Sequence, residues 1–152
     1  MRHLRGSNAR LQYDENEKRW DAVGNSSERP LVVAAQKAGY EVAKFEGYMP
    51  RLKENPFSSA RKMMSVVVDC SRCPNDIKSR VFLPEHMGTP YAAVVKGAPT
   101  WVVKKCTSML ASDGRSATDM TAAMQQRIEQ GGLDQVSVGL RNLWNTALCV
   151  RI

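Results

Sequence analysis

Short apolar runs separated by polar breaks set the pattern of this chain. Met63-Met64-Ser65-Val66-Val67-Val68 is β-branched, strand-sized and flanked by charge, which predicts a buried strand over 62–69. Tyr91-Ala92-Ala93-Val94-Val95-Lys96 repeats the pattern, predicting a strand over 91–96 that Gly97-Ala98-Pro99 stops. Two alternating segments, 9–13 and 18–23, flank the polar Asp14-Glu15-Asn16-Glu17 and predict a hairpin. Gly24-Asn25-Ser26-Ser27 is rich in capping residues. Glu28 and Pro30 then suit a first helical turn, so a helix is expected over 28–38, closed by Gly39. Pro99 suits the first position of a helix over 100–106, with Trp101, Val102 and Val103 on its apolar side. Ser116-Ala117-Thr118-Asp119 has capping-box spacing. It predicts a helix over 118–130 with Met120, Ala123, Met124 and Ile128 along one face, broken by Gly131-Gly132.

The remaining segments are less regular. Residues 52–57 read as a strand interrupted by Pro56, 133–140 as a short helix, and 143–152 as a final strand. Residues 40–51 carry no clear period, 70–88 read as polar and loop-rich around Arg80-Val81-Phe82-Leu83, and 111–115 read as a loop. Strands and hairpins without regular βαβ alternation argue for an α+β fold: a twisted, mainly antiparallel β-sheet flanked by helices. The apolar ending at Ile152 reads as a piece cut from a longer polypeptide.

At 152 residues the chain is most simply one domain. Residues 1–7 carry charge without an apolar stretch. They are set aside as a tag-derived or unstructured start, leaving 8–152 as the folded unit. No apolar run approaches the roughly 18 residues of a membrane span, so no direct membrane contact is expected. The net charge of +7 favours anionic partners: nucleic acid, phosphate-bearing small molecules or an acidic domain. The charges are dispersed, with no run of like sign long enough for a nucleic-acid tail.

Chemistry is sparse. Cys70-Ser71-Arg72-Cys73 is a lone C-x-x-C, and His3 and His86 supply no second ligand pair at zinc spacing. Because Pro74 and Asn75 suggest a loop rather than a helix, a thioredoxin-like motif is not expected either. Cys70, Cys73, Cys106 and Cys149 therefore read as free thiols of a reducing compartment. There is no G-x-x-x-x-G-K-[ST], no G-x-G-x-x-G and no G-x-S-x-G, so no catalytic constellation is expected. What stands out is Phe57 in a polar, Pro-led turn, with Arg61 and Lys62 close behind it at the mouth of a strand. An aromatic face beside a cation can hold a base and its phosphates. The plain alternative is that Phe57 packs and Arg61-Lys62 are an exposed strand pair.

Four segments taken together resemble a known family. Phe57-Ser58-Ser59-Ala60-Arg61-Lys62-Met63-Met64-Ser65-Val66 is similar to the F-S-S-x-R-K-x-M-S-V segment of P-type cation-transporting ATPases. Val95-Lys96-Gly97-Ala98-Pro99 resembles their K-G-A-P motif, and the stretch from Val23 to Leu31 their G-D-P-T-E-x-A-L segment. Gly139-Leu140-Arg141-Asn142-Leu143 is similar to their G-x-R-x-L. The order and separations match the nucleotide-binding (N) domain over most of the chain. The resemblance implies that Phe57 stacks on adenine, Lys62 lies beside the nucleotide, and Lys96 lines the pocket floor. It also implies that Gly97 lets the base approach, Glu28 contacts the adenine side and Arg141 reaches toward phosphate. The plain readings are an acid serving a helix N-terminus for Glu28 and a common helix-end arginine for Arg141.

The resemblance implies ATP as ligand, with Mg2+ arriving with it in the parent protein. The partners implied are ATP or ADP and the phosphorylation and actuator domains of a membrane-embedded pump, with this unit on the cytoplasmic side and no nucleic acid bound. Phe57, Lys62, Lys96 and Glu28 are expected to converge on one open pocket. The D-K-T-G phosphorylation motif is absent from the chain, so the isolated chain is expected to turn over no ATP. Asn25, Arg29-Pro30 and Thr100 depart from the family pattern. Asn25 and Thr100 keep open a degenerate scaffold or regulatory domain, and the charge keeps open a basic nucleic-acid-binding module.

Overall fold

The computed structural model describes residues 6–26, 28–81, 88–111, 116–137 and 149–151. The expected hairpin forms first, from β1 (Arg10–Asp14) and β2 (Arg19–Val23), antiparallel with Tyr13 opposite Trp20. The Asp14 carboxylate closes its turn by accepting the amides of Asn16 and Glu17, at 2.9 and 3.0 Å. Lys18 completes the turn in the left-handed region.

Helix α1 (Arg29–Lys37) lies against this hairpin. It ends as expected at Gly39, whose φ is +81°. The Gly39 amide donates to Gln36 and the Tyr40 amide to Ala35, both at 3.0 Å, which satisfies the last carbonyls of the helix. Val32 on α1 and Ala9 form a small core, with Leu11, Ala35 and Val42 packed around it.

The main sheet has four strands in the order β3 (Arg51–Ser58), β4 (Met63–Asp69), β5 (Tyr91–Gly97) and β8 (Cys149–Arg151), every neighbour antiparallel. The α+β reading with an antiparallel sheet flanked by helices is therefore what forms. Register sets Val66 opposite Val94 and Val68 opposite Ala92, which gives one face of the sheet its apolar rows. Helix α2 (Val42–Tyr48), in the stretch without a readable period, covers that face with Phe45, and Met49 follows just after it. Cys70, Cys73 and Ile77 extend the same cluster.

Several expectations are corrected. Phe57 sits in β3 rather than in a turn. Pro56 is tolerated there because β3 is an edge strand and its register shifts between Asn55 and Ser58. The stretch expected as loop after Cys70 contains helix α3 (Asn75–Val81). Pro99 does open a helix, α4 (Pro99–Val102), which continues as a tight turn over Val103–Lys105. Val102 and Val103 are buried, but Trp101 is 48% exposed, so it does not share their side.

The Ser116–Asp119 box does not cap a helix. Ala117–Asp119 is instead strand β7, paired with β6 (Ser108–Leu110). The cap falls on Thr121, whose Oγ1 accepts the Met124 amide at 3.2 Å and opens helix α5 (Ala122–Ser137). That helix runs through Gly131-Gly132, because glycine weakens a helix without removing its hydrogen bonds. Its docked face is the expected one only in part, since Met124 is half-buried while Ala123 is exposed. Ile128 is exposed, while Gln125 Nε2 donates to the Val103 carbonyl at 3.4 Å.

Candidate functional site

Three strands meet in one row at the end of the main sheet: Ser58 of β3 opposes Met63 of β4, which opposes Gly97 of β5. The β3–β4 turn and the start of α4 are thereby neighbours. Lys62 joins them through its backbone, with a left-handed φ of +53°. Its amide donates to the Ser58 carbonyl at 2.8 Å, and its carbonyl accepts the Ala98 amide at 2.9 Å. The Lys62 side chain is left exposed. Gly97 has a reason in the fold itself: the space a side chain needs there is filled by the Lys62 carbonyl and Met63.

Phe57, next to Ser58 in this row, is 58% exposed. The packing alternative for this residue is therefore not what is found.

Lys96 lies opposite Met64, and register sets it on the same face of the sheet as Met64, Val66 and Val94. There it forms an ion pair with Glu28, which is 68 residues away in sequence. Both side chains retain only 16% of their accessible surface. Glu28 occupies the residue before α1 but makes no side-chain cap. Its carboxylate turns away from the helix and accepts the Ser7 hydroxyl at 2.8 Å and the Asn8 amide at 2.9 Å. Burial raises the pKa of this carboxyl. The hydrogen bonds from Lys96, Ser7 and Asn8, with the Lys96 charge, outweigh burial and hold it below the ordinary glutamate value.

The network continues into β3. Asn8 donates to Glu54 at 3.1 Å, and Arg51 pairs with Glu54 at 3.1 Å while also donating to the Asn8 side chain and the Ser7 carbonyl. Ser7 is 6% exposed. Sequence reading missed Ser7 and Asn8. They belong to no motif, and only their contact with Glu28 picks them out.

The fold thus joins Glu28 to Lys96 directly, and Lys62 to Gly97 by contact, with Phe57 at the same end of the sheet. Arg141 lies outside the described residues. Among the described residues, no three carboxylate, imidazole or thiol groups gather as a metal site.

Comparison with known proteins reaches the same region. The family model described as "P-type ATPase, cytoplasmic domain N" matches residues 6–145. The chain belongs to this family. It is similar to "Cation-transporting ATPase pma1" of Synechocystis sp., 29% identical over 124 residues, which are 82% of this chain and 11% of that protein. It is also 26% identical over 96 residues to "Probable cation-transporting ATPase F" of Mycobacterium tuberculosis and of Mycobacterium bovis, over 63% of this chain and 9% of those proteins. The chain therefore spans about a tenth of the length of the curated relatives it matches.

Every motif quoted above lies inside the stretch matched to the N-domain family. Among its described residues no helix is long and apolar enough to cross a membrane. Elsewhere in this N domain, Cys70 and Cys73 stand between β4 and helix α3, so the strand–C-x-x-C–helix order is present where a loop was expected. Their surroundings are wrong for a reactive pair. Burial pushes the Cys70 thiol up to about 11 and raises that of Cys73, so both stay protonated at neutral pH.

Proposed function

We propose that this chain is the ATP-binding module of a P-type cation-transporting ATPase, holding the nucleotide so that its γ-phosphate reaches an aspartate on another domain. The observation that carries the reading is the Glu28–Lys96 pair. Two residues from separate family motifs are drawn together beside the Ser58–Met63–Gly97 row, whose chain neighbours are Phe57 and Lys62. An exposed aromatic ring suits a base, since every base has a stacking face. Exposed Lys62 supplies charge for phosphate, and Glu28 and Lys96 supply an acceptor and a donor for the polar edge of adenine. Gly97 serves through its backbone, by letting β5 close on the turn that carries Lys62. Arg141 is proposed as a further phosphate-directed cation.

Mg2+ would come with the phosphates and would supply charge neutralisation there. The chain's own part is positioning, with the chemistry on the phosphorylation domain of the parent. At the Asn25 departure, the Asn25 carbonyl accepts the Glu28 and Arg29 amides, both at 3.0 Å.

An NMR titration with ATP tests the proposal. Shifts gathered around Phe57, Lys62, Lys96 and Glu28, and lost in Phe57→Ala, are expected. Shifts that miss Phe57 and Lys96, or an unchanged affinity in Phe57→Ala, remove the assignment. A DNA or RNA oligonucleotide that competes ATP off and binds tighter would favour the nucleic-acid reading instead.

A further inference from the structure

The strand that carries Phe57 is paired with β4 along its length but not around Phe57 itself. Pro56 has no amide to donate, β3 is an edge strand, and its paired positions pass from Asn55 directly to Ser58. Phe57 therefore lies in the stretch that the ladder skips. An exposed aromatic on such a stretch is free to reorient, and stacking on a base then has to include the cost of ordering it.

Arg61, the one charged residue of the turn without an assigned part, folds back over this gap. Its Nη2 donates to the Pro56 carbonyl at 2.5 Å, and its Nε donates to Ser58 Oγ at 3.2 Å. The Arg61 backbone amide donates to the same hydroxyl, also at 3.2 Å. One planar guanidinium is thus anchored to the residue before Phe57 and to the residue after it. Lysine, a point charge without a rigid fork, does not reproduce this span.

We propose that Arg61 is a positioning residue that braces the backbone on both sides of Phe57 and so pre-orders the ring for stacking, without itself contacting phosphate. This rests on the nucleotide reading of Phe57. A brace acts on the base, so its loss weakens adenosine and ATP equally. A phosphate ligand acts on ATP alone.

The test is an NMR titration of the full chain with adenosine and with ATP, for the wild type, Arg61→Ala, Arg61→Lys, Ser58→Ala and the Arg61→Ala/Ser58→Ala double variant. Arg61→Ala is expected to weaken both ligands by the same factor, about three- to tenfold. Arg61→Lys is expected not to restore either. Ser58→Ala is expected to weaken both, and the double variant to fall well short of the product of the single effects, because the two residues act as one unit. Without ligand, the Phe57 ring signals are expected to broaden in Arg61→Ala while those of Val66 and Val68 stay sharp. That readout holds even if binding becomes too weak to measure.

Loss confined to ATP overturns the brace, as does unchanged binding of both ligands in Arg61→Ala. Binding of neither ligand by the wild type overturns the nucleotide reading itself, and the brace with it. Wild-type binding that Arg61→Ala leaves unchanged overturns only the brace.

Discussion

Gly97 is stacked on the backbone of Lys62: a β-carbon on Gly97 would lie 2.4 Å from the Lys62 carbonyl oxygen and 2.7 Å from the Met63 α-carbon. Neither atom belongs to a flexible side-chain end, so relief requires moving β4 and β5 apart. Gly97→Ala is therefore expected to lose about 1–3 kcal/mol of stability, the usual cost of overpacking. Urea unfolding measures it, and an unchanged midpoint would show that the two strands do not approach so closely in solution.

The Glu28–Lys96 pair makes stability depend on pH with a definite sign. The folded-state pKa of Glu28 lies below its unfolded value, so its contribution is fully present above the ordinary glutamate range. It is lost as pH falls through the depressed folded value. Unfolding midpoints between about pH 5 and pH 2.5 are expected to fall less steeply in Glu28→Gln than in the wild type. Lys96→Met leaves a half-buried carboxylate short of its partner and is expected to cost about 1–3 kcal/mol at neutral pH. Parallel acid limbs for wild type and Glu28→Gln would remove the linkage.

Nucleotide binding is expected to be weak, with Kd on the order of 0.1–10 mM. Stacking on Phe57 supplies about 1–3 kcal/mol, exposed lysine–phosphate contacts add little, and ordering the nucleotide opposes both. ATP, ADP and AMP should then bind within about tenfold of one another, since the base dominates. Phe57→Ala should cost more affinity than Arg141→Ala. The isolated chain should release no phosphate above background; release that co-purifies with the protein peak would contradict the positioning role.

Cys70 and Cys73 are buried thiols with raised pKa values. At pH 8 both should resist iodoacetamide in the folded protein and react once urea unfolds it. Mass spectrometry of the modified peptides reads this directly. Fast native labelling of either residue would mean that the end of β4 opens readily.

Elements were legible where local chemistry and tertiary packing agree. The Val-rich β4 and β5 carry β-branched runs, the first hairpin carries its own Asx turn, and α1 carries proline at its start and Gly39 at its end. The misreadings have separate causes. Ser116-Ala117-Thr118-Asp119 has helix-start chemistry, yet Ala117–Asp119 is taken into a hairpin by Ser108–Leu110, which local spacing cannot reveal. Helix α3 was hidden by a polar composition, and α2 by the lack of a period long enough to read in seven residues.

The candidate site divides in the same way. The sequence by itself determined which residue types are present and the motifs that hold them, because Phe57, Lys62, Lys96, Gly97 and Glu28 each lie in a short contiguous pattern. Only the tertiary structure decided that Glu28 leaves its helix end for Lys96, that Ser7 and Asn8 share its carboxylate, and that Gly97 is bare to admit the Lys62 carbonyl. The physical reason is range. Strand and cap propensities act over a few residues, whereas an ion pair across 68 residues exists only after sheet register has carried Lys96 to the face where Glu28 waits.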